Sequence, residues 1–79
     1  MNENETKELI RSKIKEIAFR NVGDTDELME QHILDSMGAV DLAVALEAAF
    51  GISIPFVDIN KQQFASVESL AAYVTLKRG

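Results

Sequence analysis

The sequence predicts an all-α fold: a small four-helix bundle of three main helices and one short helix, with a long loop between the first and second helices. Apolar residues recur at the three- and four-residue spacing of helix faces. Alanine and leucine, both strong helix formers, fill the middle of the chain. The alternating stretch "ISI" is too short to indicate a strand. With 79 residues, 47% of them apolar, we expect one freestanding domain over residues 1–79, with modest stability.

The first helix is predicted over Glu5–Arg20. Charged side chains occupy one face and apolar side chains the other, which is typical of a helix packed on a core. Gly23 is expected to stop this helix, because glycine readily takes the conformation that ends helices. The inward face is predicted to be Ile10, Ile14, Ile17 and Ala18.

A loop with a short helical turn in its middle is predicted over Gly23–Asp35. Loops of this length in compact domains are usually functional or packed by their own side chains. This one is too apolar for a free linker, so we expect it to fold back onto the core. The residues expected to pack there are Leu28, Met29, Ile33 and Leu34.

The second helix is predicted over Met37–Phe50. Gly51 follows its last turn, and Pro55 prevents the helix from continuing. A short third helix is predicted within Phe56–Gln63. Ser66 is predicted to cap the last helix, Val67–Leu76, whose inward residues are Val67, Leu70, Ala71 and Val74.

The second helix is apolar on two faces. Its inward stripe is predicted to be Leu42, Ala43, Leu46, Ala49 and Phe50, with Val40 at its edge. Its outward residues are predicted to be Met37, Asp41, Val44, Ala45 and Ala48. One interpretation is a central helix that is buried nearly all round. We favour a docking surface, because a domain this small covers few helices on every side and exposed apolar patches mark interaction sites.

Charge and composition restrict the classes of function. The chain has 13 acidic and 8 basic residues and a formal net charge of −5, which disfavours nucleic acid and anionic lipid as partners. The absence of cysteine excludes disulfides, thiolate metal sites and cysteine catalysis. No apolar run is long enough to span a bilayer, and the first residues do not have the pattern of a signal peptide. We therefore expect a cytoplasmic protein.

Ser36 stands at the start of the second helix. As an N-cap it would accept a hydrogen bond from the amide of Gly38 or Ala39, worth about 1 kcal/mol. Gly38 weakens the first turn by about 1 kcal/mol relative to alanine. The same glycine bares the backbone beside Ser36, so a partner can approach closely. The serine is therefore either an ordinary cap or the attachment point of a chemical group.

Four motifs bear on this choice. "LDSMG" at residues 34–38 is followed by a hydrophobic helix that ends in Glu-x-x-Phe at residues 47–50 and by Ile-Pro at residues 54–55. "FASVESLAAYV" at residues 64–74 opens the last helix. In this order the motifs resemble the phosphopantetheine-dependent carrier proteins, which include acyl, peptidyl and D-alanyl carriers. The resemblance covers nearly the whole chain and implies a bundle of the acyl-carrier type.

The resemblance also implies roles for individual residues. Ser36 would be esterified with 4′-phosphopantetheine from coenzyme A by a phosphopantetheinyl transferase. Asp35 would help to orient the metal–coenzyme complex of that enzyme. A phosphodiester suits a helix N-terminus, because unpaired amides and the positive end of the dipole lie there. The partner-binding residues would be Met37 and Val44 as apolar contacts and Asp41 and Glu47 as contacts to basic patches.

Within that family the sequence is most similar to D-alanyl and other aminoacyl carriers, on account of the Ser-Met-Gly run, "FGISIP" and "VDINKQQF". Alanine at positions 45, 48 and 49 gives fewer acids than fatty-acid carriers have, so a fatty-acid or polyketide acyl carrier comes second. His32 stands where members often have glycine.

An adenylating ligase would load an amino acid; a ligase, acyltransferase or synthase would load an acyl chain. We expect a monomer without catalytic activity of its own.

Other classes fit the residues less well. Asp24 and Asp26 begin like a calcium loop, but Leu28 and Met29 replace a ligand and the turning glycine. His32 is the only histidine, so a metal site or catalytic triad is disfavoured. The alternative from a different class is a helical interaction adaptor in which Ser36 is a simple N-cap.

Overall fold

The computed structural model describes residues 2–78. The regular elements of these residues are helices, and no strand occurs among them. The elements are α1 (Glu3–Ala18), α2 (Ser36–Phe50), a single 3₁₀ turn (Phe56–Asp58) and α3 (Val67–Arg78). The all-α prediction is confirmed. The short third helix was predicted within Phe56–Gln63 and is instead this one 3₁₀ turn, so the described residues form three α-helices and not four.

α1 is capped at its two ends by Asn2 and Phe19, neither of which was predicted. Asn2 accepts a hydrogen bond from the amide of Glu5 at 2.8 Å, and the Glu5 carboxylate accepts one from the Asn2 amide at 3.2 Å. This reciprocal pair starts the helix two residues earlier than predicted. The prediction that Gly23 stops α1 is wrong. Phe19 ends the helix in the left-handed conformation, with φ 60°, and its amide donates to the carbonyl of Lys15.

The core lies between α1 and its two packing partners, α2 and α3. The residues predicted to be inward on α1 are either fully buried (Ile10 and Ile14) or packed against the core (Ile17 and Ala18). Those predicted on α3 are all buried, and Phe64 is also fully buried in the same core. The buried apolar residues are Ile10, Ile14, Val22, Leu28, Ile33, Leu34, Ala39, Leu42, Ala43, Leu46, Ile54, Phe64, Val67, Leu70, Ala71, Tyr73 and Val74.

The loop between α1 and α2 folds back onto the core, as predicted. Leu28, Ile33 and Leu34 are buried, and Met29 packs against them. The Leu28 amide donates to the carbonyl of Ala65 at 2.8 Å, which fastens the loop to the segment before α3. The Leu34 amide donates in turn to the carbonyl of Leu28 at 2.8 Å. The residues that lead into α2 are therefore held by both packing and backbone hydrogen bonds.

α3 begins with the predicted cap, because Ser66 Oγ accepts a hydrogen bond from the amide of Ser69 at 3.1 Å. Tyr73 was not predicted to face inward but is buried. Its hydroxyl donates to Asp58 Oδ2 at 2.6 Å and ties α3 to the 3₁₀ turn. Burial, together with the hydrogen bond to this carboxylate and its charge, raises the pKa of Tyr73 from 10.0 to about 12.

α1 runs antiparallel to α3, since side chains of its first turns, Glu3 and Thr6, line a groove with Thr75 and Arg78 at the end of α3. The Arg78 guanidinium also lies 5.8 Å from the ring of Phe50 at the end of α2. The start of α2 is therefore at the opposite end of the bundle from these termini. Within residues 2–78, no helix combines the length and the apolar character needed to cross a membrane.

Candidate functional site

The start of α2 is capped by Asp35 and not by Ser36. Asp35 has extended backbone angles, and its Oδ1 accepts a hydrogen bond from the amide of Gly38 at 2.7 Å. The Asp35 carbonyl accepts the first helical hydrogen bond, from Ala39, at 2.9 Å. The interpretation of Ser36 as the N-cap is therefore wrong. The physical reason is that an aspartate one position upstream serves equally well as a cap.

Ser36 is the first residue inside the helix and is exposed to solvent. In the part of the chain that the structure describes, its hydroxyl has no hydrogen-bond partner. The first amides of a helix also lack carbonyl partners within the helix, and the helix dipole places partial positive charge beside them. The site thus presents a free hydroxyl in an environment that favours an anion.

The segment of the chain that leads into Ser36 is anchored in the core. Leu34 is 2% exposed and Ile33 is 8% exposed, so the two residues before the cap are anchored in the core. Both Asp35 and Ser36 project from that anchored segment into solvent. A side chain that an enzyme must reach in a defined geometry benefits from such support, because misplacement by about 1 Å can cost on the order of a hundredfold in rate.

His32 takes a backbone conformation that favours glycine. Its φ is 56°, in the left-handed region, and its side chain is exposed. The chain turns here, four residues before Ser36. Glycine would take this conformation with less strain than histidine does.

The outward residues predicted for α2 are largely confirmed as a surface. Met37 is 70% exposed and Val44 is 59% exposed, while Asp41 and Ala48 are also exposed and Ala45 is half-buried. We call these residues the α2 outer face. Burial nearly all round is therefore excluded. On the inner side Leu42, Ala43 and Leu46 are buried as predicted, Ala49 and Phe50 are half-buried, and Ala39 is an additional buried residue.

Glu47 has a structural contact that the sequence analysis did not anticipate. Its Oε2 accepts a hydrogen bond from the amide of Ile54 at 2.8 Å, and the side chain is half-buried. This bond ties the segment after α2 back onto the last turn of the helix. A tertiary contact of this kind leaves no local sequence signal, since the two residues are separated by a turn.

Several apolar side chains are exposed away from the α2 outer face. They are Phe19 at 88% and Phe56, Val57 and Leu76 at 78% each. Sequence reasoning missed these residues because periodicity predicts the buried face of a helix but says little about apolar residues at helix ends and turns.

Asp24 and Asp26, the two acids of the calcium-loop alternative, both bind other groups of the protein. Asp24 pairs with Arg11, lies 3.9 Å from the Lys7 ammonium, and accepts a backbone hydrogen bond from Glu68 through its carbonyl. Asp26 Oδ2 accepts a hydrogen bond from the amide of Gly23 at 2.8 Å. Both acids therefore fasten the loop to its surroundings.

Comparison with known proteins defines the class of protein. The family model of the phosphopantetheine attachment site matches residues 7–74, which include all of α2 and the residues that lead into it. The chain belongs to this family of phosphopantetheine carrier proteins. Its cofactor is a covalently attached 4′-phosphopantetheine arm, and the free serine hydroxyl at the positive end of α2 fits an attached phosphate.

The relatives of this chain narrow the class further. A D-alanyl carrier protein of Lactococcus lactis subsp. lactis (strain IL1403) is 42% identical over 60 residues, which are 76% of this chain and 75% of the relative. A D-alanyl carrier protein of Streptococcus suis (strain 05ZYH33) is 29% identical over 72 residues, which are 89% and 91% of the two chains. The protein is thus a carrier of the D-alanyl-like, aminoacyl type, and the adaptor alternative is not favoured.

Proposed function

We propose that Ser36 is the residue that carries the phosphopantetheine arm, and that the arm holds an amino acid as a thioester for delivery to partner enzymes. The observation that carries this proposal is the exposed, unpartnered hydroxyl of Ser36 at the first position of a helix already capped by Asp35. When bound, the arm supplies the thiol that forms the thioester, a group that the cysteine-free chain lacks.

The proposed cargo is D-alanine or a similarly small amino acid. Support comes from the relatives, which are D-alanyl carrier proteins, and from the core. Leu46 is 0% exposed and Ile54 is 6% exposed, so the core beside α2 is filled by the protein's own side chains. Opening it would cost packing energy, which a short cargo in solvent does not require. An acyl chain is therefore the second candidate.

The proposed partners are a phosphopantetheinyl transferase, which installs the arm, and an adenylating ligase, which activates the amino acid and loads it. The α2 outer face would contact these enzymes through Met37 and Val44, with Asp41 placed to meet a basic patch. Glu47 would contribute charge at the edge of this surface in addition to its bond with Ile54. We propose that the protein acts as a cytoplasmic monomer of one domain, and that the chemistry belongs to its partners.

The attachment site is tested by incubating the protein with coenzyme A and a broad-specificity phosphopantetheinyl transferase and then measuring its mass. We expect the wild-type chain to gain one phosphopantetheinyl group and Ser36→Ala to gain none. Ser36→Ala should keep its thermal unfolding midpoint, because Asp35 makes the cap. Ser53→Ala, which removes another exposed serine, is the matched control and should be modified normally. Modification of Ser36→Ala would contradict the assignment.

The cargo is tested with the modified protein and a panel of adenylating enzymes that activate D-alanine, L-alanine, glycine or a fatty acid. We expect an aminoacyl thioester with the enzyme that activates D-alanine and none with the fatty-acid enzyme. A thioester formed only with a fatty acid would contradict the proposed cargo and support the second candidate function, an acyl carrier.

The role of Asp35 is tested with Asp35→Asn. Asparagine is as good a cap as aspartate, so the substitution removes the charge while keeping the hydrogen bond to Gly38. If Asp35 helps to orient the metal–coenzyme complex, kcat/KM of the transferase reaction should fall by about tenfold or more with little change in stability. An unchanged kcat/KM would limit Asp35 to capping.

The docking role of the α2 outer face is tested with Met37→Ala and Val44→Ala in the transferase reaction. Loss of apolar contact should raise KM for the protein while kcat stays the same. Leu76→Ala is the matched control, since Leu76 is similarly exposed but lies at the far end of α3. An equal rise in KM in all three variants would argue against a specific surface.

A further inference from the structure

The backbone conformation at position 38, in the first turn of α2, does not require glycine. The one glycine with a left-handed φ in the part of the chain that the structure describes is Gly51, so Gly38 does not use the conformational freedom of glycine. Glycine also weakens a helix relative to alanine. Some other requirement must favour the absence of a side chain at this position.

The surroundings of Gly38 supply that requirement. A Cβ atom added there would lie 3.2 Å from Asp35 Oδ1 and 3.4 Å from Leu34 Cδ2. The same Asp35 oxygen accepts the hydrogen bond from the Gly38 amide at 2.7 Å. Leu34 is held in the core at 2% exposure, so the exposed Asp35 carboxylate is the group that would move.

We propose that Gly38 is a positioning residue for the modification of Ser36 and that it acts through Asp35. Without a side chain at position 38, the carboxylate of Asp35, the residue before the serine that is to be modified, sits close against the amide of residue 38. A methyl group at position 38 displaces that carboxylate by a few tenths of an ångström or turns it into solvent, so the transferase meets an altered site. This inference rests on the proposed attachment of phosphopantetheine to Ser36.

The chain contains a matched control. Gly23 also donates its amide to the carboxylate of an aspartate three residues away, Asp26 Oδ2, at 2.8 Å. A Cβ atom on Gly23 would lie 3.7 Å from that oxygen, which is an ordinary contact. Gly23→Ala therefore repeats the substitution in the same type of hydrogen bond without the close approach.

The test is a double-mutant cycle on kcat/KM for transfer from coenzyme A by the phosphopantetheinyl transferase. Gly38→Ala should lower kcat/KM by roughly threefold to tenfold, and Gly23→Ala should leave it unchanged. In an Asp35→Ala background, Gly38→Ala should have no further effect, because the carboxylate that it displaces is gone. Asp35→Ser, with a shorter capping side chain, replaces Asp35→Ala if that variant unfolds.

An equal loss in both backgrounds, or no loss in the wild-type background, would overturn the proposal. A second readout does not depend on the modification: hydrogen exchange of the residue 38 amide. It should become severalfold faster in Gly38→Ala as the bond to Asp35 lengthens, whereas the residue 23 amide should be unaffected in Gly23→Ala. Unchanged exchange at residue 38 overturns the inference even if the transferase modifies no variant, while an unmodified wild-type chain overturns only the proposed function.

Discussion

Two helices of this protein begin near a serine, and the two serines have different surroundings. Ser66 precedes α3, is half-buried, and accepts a hydrogen bond from the Ser69 amide at 3.1 Å. Ser36 lies one position later relative to its helix, is exposed, and leaves the cap of α2 to Asp35. One serine is used to hold the structure together, and the other is free.

The difference shows how one position at a helix start changes the use of a hydroxyl. A side chain at the N-cap faces the free amides of the first turn and bonds to them. A side chain at the first helical position points outward, so its hydroxyl is available to another molecule. The aspartate before Ser36 is therefore what releases the serine from a structural role.

Exchanging the two residues at the start of α2 should have the largest effect. In the double variant Asp35→Ser, Ser36→Asp, a serine takes the cap and an acid takes the first helical position, so the helix is retained. The hydroxyl now bonds to the amides of the first turn, and we expect complete loss of phosphopantetheine attachment, measured by mass. Helix content by circular dichroism is the control, and a modified double variant would show that the offset is not essential.

At high pH, α3 should lose stability through Tyr73. The pKa of Tyr73 is about 12 in the folded protein and near 10.0 when unfolded, so only the unfolded chain loses the proton between these values. Stability is fully present below pH 10 and is lost as pH rises through 12. Urea unfolding of wild type and Tyr73→Phe across this range should show the difference, with transferase modification at neutral pH unchanged in the variant.

If Tyr73→Phe has the same pH dependence as wild type, the titration of Tyr73 is not linked to folding and the expected loss at high pH is wrong. If the variant instead loses modification at neutral pH, then α3 also contributes to the modification of Ser36 and its role is not purely structural.

Removing the cap of α3 should have a smaller effect. Ser66→Ala loses the hydrogen bond to Ser69, and the free energy of unfolding should fall by about 1 kcal/mol. The rate of modification, measured well below the unfolding midpoint, should not change. Ser36→Ala should keep its free energy of unfolding and lose modification. A stability loss in Ser36→Ala as large as that in Ser66→Ala would show that both serines have a structural role.

The smallest effect is expected at the turn that leads into α2. His32→Gly removes a side chain from a left-handed position, and the relief of backbone strain should slightly exceed the entropy that glycine adds to the unfolded chain. We expect a gain of at most about 0.5 kcal/mol in denaturant unfolding. His32→Ala is the control, because alanine keeps the strain; a matching gain in that variant would point to the imidazole and not to the backbone.

Much of the fold could be predicted because the signals are local. The apolar spacing located α1, α2 and α3, and Gly51 ends α2 in the left-handed conformation, as glycine was expected to do. The prediction that Gly23 stops α1 failed because Phe19 takes the left-handed conformation four residues earlier. Propensity favours glycine there but does not forbid an aromatic residue.

The candidate site was predictable in its residue types and less so in its hydrogen bonds. "LDSMG" indicated Ser36, and the lack of charge on α2 indicated an exposed docking face. Whether Asp35 or Ser36 capped the helix could not be decided from the sequence, since both residue types are good caps. The bonds of Glu47 to Ile54 and of Tyr73 to Asp58 join separate segments, and no local pattern encodes them.

The amino-acid sequence by itself determined that the chain is helical, that a serine lies at the head of its most apolar helix, and that this helix is apolar on two faces. These properties follow from side-chain spacing and composition, which act over a few residues. Only the tertiary structure decided that Asp35 makes the cap and that Ser36 is free, because the helix start depends on Leu34 being anchored in the core. That anchor sets which of two adjacent side chains can reach the free amides.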